Sequence, residues 1–388
     1  MWIGRECEAL VKRLAGQFSA VLVTGARQVG KTSLLRHLYP EASYLTLDFP
    51  GDAEAAQTAP KRLLDRYSEP LIIDEVQYAP SLLRHIKARI DSNRSPGRFL
   101  LTGSQVFPLM QGVSESLAGR CGVLNLQTLG RSELAAAGCF KDEADCAFRG
   151  GYPELYVGAD AELWFPSYVA TYLERDVRNV LRIVDLQEFH RFIRACALRT
   201  AQVVNYSDLA RDTGIAPNTA RKWLGLLQAS GVAALAEPYF GNRTKRMIKA
   251  PKLMFMDTGL AAFLAGFRTA EELFASSHAG AFWESFVFGQ LDRWASARGR
   301  ARPIHYWRTT SGHEVDLIME QAGGEITAIE CKWTEHPGLD DSAGLRSLCE
   351  AEKGRVRDRY LLCRASAAYR LTDGTWVTHM DDLLDRLA

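Results

Sequence analysis

The 388-residue sequence has no long apolar run, no paired cysteine motif and almost no net charge. Its apolar stretches are far shorter than the roughly 20 residues needed to cross a bilayer. The amino-terminal segment MWIGRECEALVKRL also lacks the continuous apolar core of a signal peptide. We therefore expect a cytoplasmic protein without a membrane partner.

The eight cysteines are scattered, with no CxxC pair and no histidine-rich spacing. This pattern predicts reduced thiols and neither a structural zinc site nor a disulfide framework. The net charge of +1 gives no global basic field, so any nucleic-acid-binding surface has to be local. An apolar fraction of 47% and this length are typical of a globular protein with two or three domains.

The segment AVLVTGARQVGKTSLLRHL runs from an apolar strand through a glycine-rich loop into a helical pattern. This is the order of strand, P-loop and helix. Backbone N–H groups of such a loop surround phosphates, Lys31 would reach the β- and γ-phosphates, and Thr32 would hold Mg²⁺. The predicted phosphate-binding positions are Gly25, Ala26, Arg27, Gln28, Val29, Gly30, Lys31, Thr32 and Ser33.

A second apolar strand, EPLIIDEVQ, ends in two acidic residues. Asp74 would bind Mg²⁺ through water, and Glu75 would polarise the water that attacks the γ-phosphate. A third strand, GRFLLTGSQ, places Thr102 and Ser104 at its carboxyl end, where ligands collect in an open parallel sheet. Ser104 could sense the γ-phosphate or could simply be a polar residue that ends a strand.

The segment SESLAGR ends in Arg120, which could stabilise transition-state charge in cis or on a neighbour, or could be a surface residue. The segments GARQVGKTS, IIDEVQ, LTGS and LAGR, in this order, resemble those of AAA-type P-loop ATPases. The resemblance implies ATP as the bound nucleotide, its hydrolysis with Mg²⁺, and a homo-oligomer as one form of assembly.

The middle of the chain is helical from about residue 162, where AELWFPSYVATYLERDVRNVL repeats apolar residues three and four apart. This segment looks like the helical lid of an ATPase. In the next segment we predict a helix capped by Ser207, a turn at Gly214 and a second helix that begins near Pro217. Helix, turn, helix and hairpin is the order of a winged helix, which binds either DNA or another protein.

The hairpin segment GNRTKRMIKAPK is strongly basic. We expect its cationic side chains to lie on an exposed wing and to neutralise phosphates. On the helix before it, Thr219, Arg221 and Lys222 would face outward if Ala220 and Trp223 face the core. The predicted wing residues are Arg243, Lys245, Arg246, Lys249 and Lys252.

The carboxyl-terminal third predicts a helix at 280–294, then strands in PIHYWRT, HEVDLIME and EITAIECKW, a helical stretch near 340–351, and a strand in DRYLLCR. Helix, three strands, helix and strand is the order of the PD-(D/E)xK nuclease-like fold. Because side chains alternate across a strand, Glu330 and Lys332 share one face. Asp316, on the preceding strand, would lie within reach of Glu330.

These residues predict a second metal site, in which Asp316 and Glu330 bind one or two Mg²⁺ ions. Lys332 would position or activate water, and Glu284 could add a ligand from the helix. Alternatively, the charges only cap strands and pair with one another. The motifs WESFV, EVDLI and IECK resemble the carboxyl-terminal domain of a family of bacterial and archaeal AAA-type ATPases. The resemblance implies a nuclease-like domain, and such domains often keep the fold while losing activity.

Together these observations predict an α/β protein with an ATPase core at 1–140, a helical lid at 141–200, a winged-helix-like unit at 201–265 and a nuclease-like domain at 266–388. The expected function is Mg²⁺-dependent ATP hydrolysis coupled to a metal-dependent nuclease-like domain that acts on DNA. The alternative is a nucleotide-switched ATPase that binds DNA or protein and whose nuclease-like domain is inactive.

Overall fold

The computed structural model describes residues 2–103, 113, 116–173, 186–240, 250–300 and 302–388. Ser104 lies outside the described residues, as does the arginine-rich part of the predicted lid beyond residue 173. The same holds for four of the five predicted wing residues, Arg243, Lys245, Arg246 and Lys249.

The first part of the chain forms a five-stranded parallel sheet with the order β2-β3-β4-β1-β5. Every residue of β1, β3 and β4 is buried, as expected for a parallel sheet with both faces covered. The carboxyl ends of these three strands therefore meet at one edge. The strands are β1 (Ala20–Thr24), β2 (Ser43–Thr46), β3 (Leu71–Asp74), β4 (Phe99–Gly103) and β5 (Cys121–Asn125). The helices are α1 (Glu8–Gln17), α2 (Lys31–Leu38), α3 (Pro50–Thr58), α4 (Pro60–Leu64) and α5 (Leu82–Ser92).

The middle of the chain is mostly helical and contains a three-stranded antiparallel sheet with the order β6-β8-β7. Its helices are α6 (Arg131–Ala136), α7 (Glu143–Arg149), α8 (Ala161–Tyr168), α9 (Leu186–Ala197), α10 (Tyr206–Thr213), α11 (Pro217–Ala229), α12 (Thr258–Ala265) and α13 (Ala270–Ala275). Its strands are β6 (Gln202–Val203), β7 (Ala233–Ala236) and β8 (Lys252–Phe255).

The helix, turn and helix predicted for this region are present, but the predicted cap is wrong. The Asn205 side chain accepts hydrogen bonds from the N–H groups of Ser207 and Asp208, so Asn205 is the N-cap of α10. Gly214 follows α10 in the left-handed conformation, and Pro217 is the first residue of α11.

The last part of the chain begins with the long helix α14 (Ala279–Ala297) and forms a six-stranded sheet with the order β13-β14-β12-β11-β10-β9. The predicted sequence of helix, three strands, helix and strand is observed, and two short strands and a last helix follow it. The strands are β9 (Ile304–Arg308), β10 (Glu314–Glu320), β11 (Ile326–Cys331), β12 (Val356–Leu362), β13 (Tyr369–Arg370) and β14 (Trp376–Thr378). The helices are α15 (Ala343–Ala351) and α16 (Met380–Leu387).

One apolar core joins the five-stranded sheet to the middle helices. It contains Val21 and Val23 of β1 together with Phe192 of α9 and Trp223 of α11, all of them buried. Burial of this kind is the main favourable contribution to folding. The first and middle parts therefore share a core. Among the described residues, no helix is both long enough and apolar enough to cross a membrane.

Candidate functional site: a P-loop cavity and a buried carboxylate cluster

The loop between β1 and α2 adopts a conformation that depends on its glycines. Gly25 and Gly30 have φ values of 141° and 93°, and Gln28 is also left-handed, with φ at 60°. A Cβ atom at Gly25 would lie 2.0 Å from the carbonyl oxygen of Leu126, so a side chain is excluded there. The loop leads directly into the amino terminus of α2, where backbone N–H groups favour an anion.

Lys31 is buried within this loop. Its Nζ donates hydrogen bonds to the carbonyl oxygens of Gly25, at 3.2 Å, and Ala26, at 2.8 Å. The ammonium group therefore lies inside the curve of the loop. A phosphate bound there would offer it a stronger, charge-assisted partner.

Thr32 and Asp74, the two residues predicted to hold Mg²⁺, are brought together. Thr32 Oγ1 donates to Asp74 Oδ1 at 2.6 Å, and the hydroxyl of Thr102 donates to the same oxygen. The Tyr44 hydroxyl donates to Asp74 Oδ2 at 2.9 Å. A hydroxyl and a carboxylate beside a phosphate-binding loop are hard oxygen ligands that suit Mg²⁺, so the residues present fit this ion.

Glu75 follows Asp74 in a left-handed conformation, with φ at 54° and ψ at 46°. Its backbone N–H donates to Thr102 Oγ1 at 3.1 Å, and its carboxylate accepts from the Gln77 amide. A non-glycine residue in this region is strained, and such residues concentrate at functional sites. The turn directs Glu75 into the cavity that the P-loop also lines.

This cavity has a volume of about 630 Å³. Seven of the nine predicted loop residues line it, from Arg27 to Ser33, as does Glu75. Sequence reasoning missed the rest of the lining, which comes from distant segments and carries no local motif: Trp2, Ile3, Arg5, Asp48, Leu129, Pro153, Glu154 and Val157. Burial, followed by the nearby Glu75 and Asp74 carboxylates, raises the pKa of Asp48.

Arg120 lies at the other end of the sheet. Its carbonyl oxygen accepts from the N–H of Ala20, the first residue of β1, whereas the P-loop follows the last residue of that strand. Its guanidinium pairs with Asp91 at 2.6 Å. The in-cis role considered for Arg120 is therefore wrong for this conformation. A role toward a neighbouring subunit stays a prediction.

A second set of charged side chains surrounds Lys252 of β8 and comes from the last part of the chain. Lys252 Nζ is 2.7 Å from Glu284 Oε1 and 3.7 Å from Asp316 Oδ1, and it also pairs with Glu314. The lysine is only 2% exposed. The prediction that Lys252 lies on an exposed wing is therefore wrong. It begins β8 and extends into the carboxyl-terminal domain.

Glu330 and Lys332 form a separate pair beside this one. Lys332 Nζ is 2.8 Å from Glu330 Oε1, while Glu330 Oε2 is buried and has no hydrogen-bond partner. Asp316 Oδ2 accepts from the backbone N–H of Cys331 at 2.8 Å. We call Glu284, Glu314, Asp316 and Glu330 the carboxylate cluster.

The Mg²⁺ site predicted for Glu284, Asp316 and Glu330 does not fit this arrangement. The metal ion was expected between Asp316 and Glu330, with Glu284 as a further ligand. Asp316 and Glu284 instead share the ammonium group of Lys252, and Glu330 pairs with Lys332. Across the described ranges, no three His, Cys, Asp or Glu side chains are arranged so that they could hold a metal ion. The charges instead pair with one another, as in the alternative interpretation of the sequence.

The protonation of the cluster reflects burial and neighbouring charge. Burial, followed by the Asp316 charge, raises the pKa of Glu284 well above its usual range, against the opposing effect of Lys252. Burial and Asp316 also raise the pKa of Glu330 to about 8. Burial favours the neutral form of Lys252, but the carboxylates of Glu284, Asp316 and Glu314 outweigh it and raise the pKa of the lysine.

Two arginines connect the cavity to α14, the helix that carries Glu284. Arg5 donates to the carbonyl oxygens of Val29, in the P-loop, at 2.9 Å and of Gln127 at 2.7 Å. Arg293 of α14 donates to the neighbouring Thr128 through both its carbonyl, at 3.2 Å, and its hydroxyl, at 2.6 Å. Arg5 and Arg293 therefore link the P-loop to α14 through the adjacent residues Gln127 and Thr128.

Three family models match successive parts of the chain. Residues 17–135 match an AAA domain, and residues 141–271 and 279–383 match two domains of unknown function, DUF8612 and DUF4143. The AAA match includes the P-loop, Asp74, Glu75 and Arg120. The P-loop ATPase of AAA type predicted for the first part of the chain is confirmed.

Two uncharacterized mycobacterial proteins are similar over most of their length. Rv2008c of Mycobacterium tuberculosis and Mb2031c of Mycobacterium bovis are each 32% identical to this chain over 342 residues. The matches cover 87% of this chain and 76% of each relative.

Among solved structures, the Walker-type ATPase PABY2304 of Pyrococcus abyssi is 17% identical, with a TM-score of 0.46 over 68% of this chain and 96% of that one. The RuvB Holliday junction branch migration motor of Thermotoga maritima is 21% identical, with a TM-score of 0.31 over 60% and 89% of the two chains.

Proposed function

We propose that this protein is an ATP-driven switch that binds DNA. The chain belongs to the same protein family as the uncharacterized Rv2008c and Mb2031c, and it contains an AAA-type ATPase domain. In this proposal, Mg²⁺-dependent ATP hydrolysis in the first part changes how the middle and carboxyl-terminal parts bind their target. The observation that carries the proposal is the contact between Thr32 and Asp74 beside the P-loop cavity.

The residues of the cavity have separate roles in hydrolysis. Lys31 turns from the loop carbonyls toward the β- and γ-phosphates. Thr32 and Asp74 would hold Mg²⁺, which would neutralise charge on the phosphates. Glu75 orients the attacking water from its strained turn, and Ser104 would sense the γ-phosphate.

Steady-state ATP hydrolysis by the full chain tests this assignment. We expect Lys31→Ala to abolish nucleotide binding, whereas Glu75→Gln should bind ATP but hydrolyse it at least about a hundredfold more slowly, since positioned acid–base groups contribute 10²–10⁴-fold. The matched control is Lys12→Ala, which removes an exposed lysine of α1. Equal hydrolysis by the parent and Glu75→Gln would contradict the role given to Glu75.

We propose DNA as the target because the middle part has the element order of a winged helix. Two helices, α10 and α11, precede β7 and β8, and β6 pairs with β8. Arg221 and Lys222 are exposed on α11, where side chains could reach phosphates. A protein partner is the alternative, since folds of this type also bind proteins.

Fluorescence anisotropy with duplex DNA at several salt concentrations distinguishes these targets. Each phosphate contact contributes about 0.9 to the slope of log affinity against log salt. The double variant Arg221→Ala/Lys222→Ala should therefore weaken binding and lower that slope by nearly 2. The matched control is Lys61→Ala/Arg62→Ala, an exposed basic pair on α4. Identical slopes for both pairs would exclude α11 as the contact.

A nuclease that acts through Glu330 and Lys332 is the second candidate function. The buried Glu330 Oε2 without a partner, next to Lys332, favours it because a carboxylate oxygen and an amine of this kind could act on a phosphate. Labelled single-stranded, duplex and branched DNA, incubated in Mg²⁺ or Mn²⁺ with and without ATP, provides the test. Cleavage by the parent that both Lys332→Ala and Asp316→Ala lose would establish the nuclease. Absence of cleavage, with ATP hydrolysis and DNA binding intact, would leave the switch.

A further inference from the structure

The carboxylate cluster contains a cation that belongs to the chain itself. We infer that Lys252 is the resident cation of this cluster and replaces a divalent metal ion, so that the folded domain binds no metal there unless the lysine is removed. This inference goes beyond the proposed switch and does not depend on ATP hydrolysis, so each can fail separately.

The geometry around the ammonium group is that of a filled cation site. A lysine ammonium has three N–H donors and no acceptor. The carboxylates of Glu284 and Asp316 lie 2.7 and 3.7 Å from Lys252 Nζ, and the Glu314 carboxylate also contacts it. Three carboxylates therefore surround the ammonium group. A metal ion placed about 2 Å from the same oxygens would lie against the ammonium group and be repelled by it.

The ammonium group also compensates buried acidic side chains. Glu284 and Asp316 are both buried, and Lys252 Nζ lies within 4 Å of each carboxylate. A divalent ion placed beside the lysine would add two positive charges to a site that already contains one. Buried charges need compensation of this kind because water does not screen them.

One ligand oxygen of the cluster has no partner. Glu330 is 7% exposed, and its Oε2 is buried without a hydrogen bond. A buried carboxylate oxygen without a hydrogen bond is costly. The cluster therefore has one buried acceptor that Lys252 does not satisfy, and this favours metal binding once the lysine is removed.

The backbone around Lys252 is fixed by contacts to the carboxyl-terminal domain. The residue begins β8 and pairs with Val203 and Ala236. Two residues earlier, the carbonyl oxygen of Ala250 accepts from the Tyr306 hydroxyl at 2.7 Å, and the Tyr306 ring lies 5.4 Å from Lys252 Nζ. The lysine is thus held in the cluster by the middle sheet on one side and β9 on the other.

Mn²⁺ binding to the nucleotide-free full chain tests the inference, with free Mn²⁺ measured by electron paramagnetic resonance. The parent and Lys252→Met share the P-loop, so any difference between them belongs to the cluster. We expect Lys252→Met to gain one site with at least about tenfold higher affinity than any site in the parent. Its melting temperature should rise with Mn²⁺, while that of the parent should not.

A second variant keeps the test decisive if Lys252→Met folds poorly. Lys252→Met/Glu284→Gln removes one charge of each sign, so it should fold without metal and gain little Mn²⁺ affinity. A Lys252→Met protein that stays unfolded in millimolar Mn²⁺ while this double variant folds would overturn the inference. So would a folded Lys252→Met protein with no new site, or a parent site that Asp316→Asn removes.

Discussion

At the residue scale, the acidic groups of the two sites are compensated by different partners. Asp74 accepts hydrogen bonds from the hydroxyls of Thr32, Thr102 and Tyr44, which are weak partners that a metal ion can replace. Glu284 and Asp316 instead face the ammonium group of Lys252. The first arrangement suits a nucleotide-bound ion that comes and goes, and the second suits a permanent charge.

The raised pKa of Glu330 predicts a pH-dependent stability. The folded chain holds this proton up to about pH 8, whereas the unfolded chain loses it near the ordinary value of 4.5. Because the folded state binds more protons between these values, the free energy of unfolding should fall as pH rises from about 5 to about 8, by at most about 1.4 kcal/mol per pH unit from one group.

Urea unfolding of the parent and Glu330→Gln at pH 5 and pH 8 measures this dependence. The neutral amide cannot titrate, so the stability difference between the two pH values should be smaller in Glu330→Gln. An equal difference in both proteins would mean that Glu330 is ionised throughout this range in the folded state.

At the element scale, the close packing of α15 against β10 depends on a residue without a side chain. A Cβ atom at Gly344 would lie 1.9 Å from the carbonyl oxygen of Glu314 and 3.6 Å from Glu330 Oε2. Alanine normally stabilises a helix by about 1 kcal/mol relative to glycine. Here the clash with backbone should reverse that effect, so we expect Gly344→Ala to destabilise the chain by about 1 to 3 kcal/mol.

Thermal or urea unfolding of Gly344→Ala checks this expectation. The control is Gly338→Ala, since a Cβ atom there meets nothing within 4 Å and the residue has an ordinary φ of −112°. If both variants were equally stable, α15 and β10 would be farther apart than in this structure.

Some helices and strands could be predicted from the sequence, and others could not. Apolar strands that end in a motif, such as the one before the P-loop, were recognisable because both the periodicity and the motif are local. The strands β13 and β14 were missed because two or three residues carry no readable alternation. Ser207 is a good cap by residue type, and only the backbone geometry shows that Asn205, two residues earlier, accepts the capping hydrogen bonds.

Part of the candidate site could not be predicted from the local sequence, and Lys252 is an example. It stands at the end of a basic run, which is typical of an exposed wing. Its partners Glu284 and Glu314 are 32 and 62 positions further along the chain, and only the tertiary fold brings them to it. The cavity residues Trp2 and Asp48 were missed for the same reason.

At the scale of the whole molecule, α14 contacts each of the other two parts of the chain, so the proposed switch would use this helix to transmit nucleotide state. Its Arg293 binds Thr128 of the ATPase part and the carbonyl oxygen of Met256 in the middle part. Its Glu284 lies nine residues away, about 13 Å along the helix axis, and pairs with Lys252. All three parts of the chain therefore contact one rigid helix.

The position of Arg120 predicts that ATP hydrolysis depends on contact between subunits. Since its guanidinium is far from its own P-loop, it can assist hydrolysis only on a neighbouring subunit. Arg120→Ala and Lys31→Ala should each lose ATP hydrolysis, and a mixture of the two should recover part of it, because a Lys31→Ala subunit still offers Arg120 to an intact P-loop. Lys12→Ala mixed with Lys31→Ala is the control for dilution.

Size-exclusion chromatography with light scattering would accompany this mixing experiment. A monomer with full activity, or an Arg120→Ala protein that hydrolyses ATP at the parent rate, would rule out a role between subunits.

The most direct test of the account is the steady-state rate of ATP hydrolysis by the full chain as duplex DNA is added. We predict Mg²⁺-dependent hydrolysis that Lys31→Ala abolishes and a rate that changes several-fold with DNA in the parent but not in Arg221→Ala/Lys222→Ala. Hydrolysis that is absent, or that persists in Lys31→Ala, would contradict the ATPase assignment, and a rate indifferent to DNA would contradict the switch.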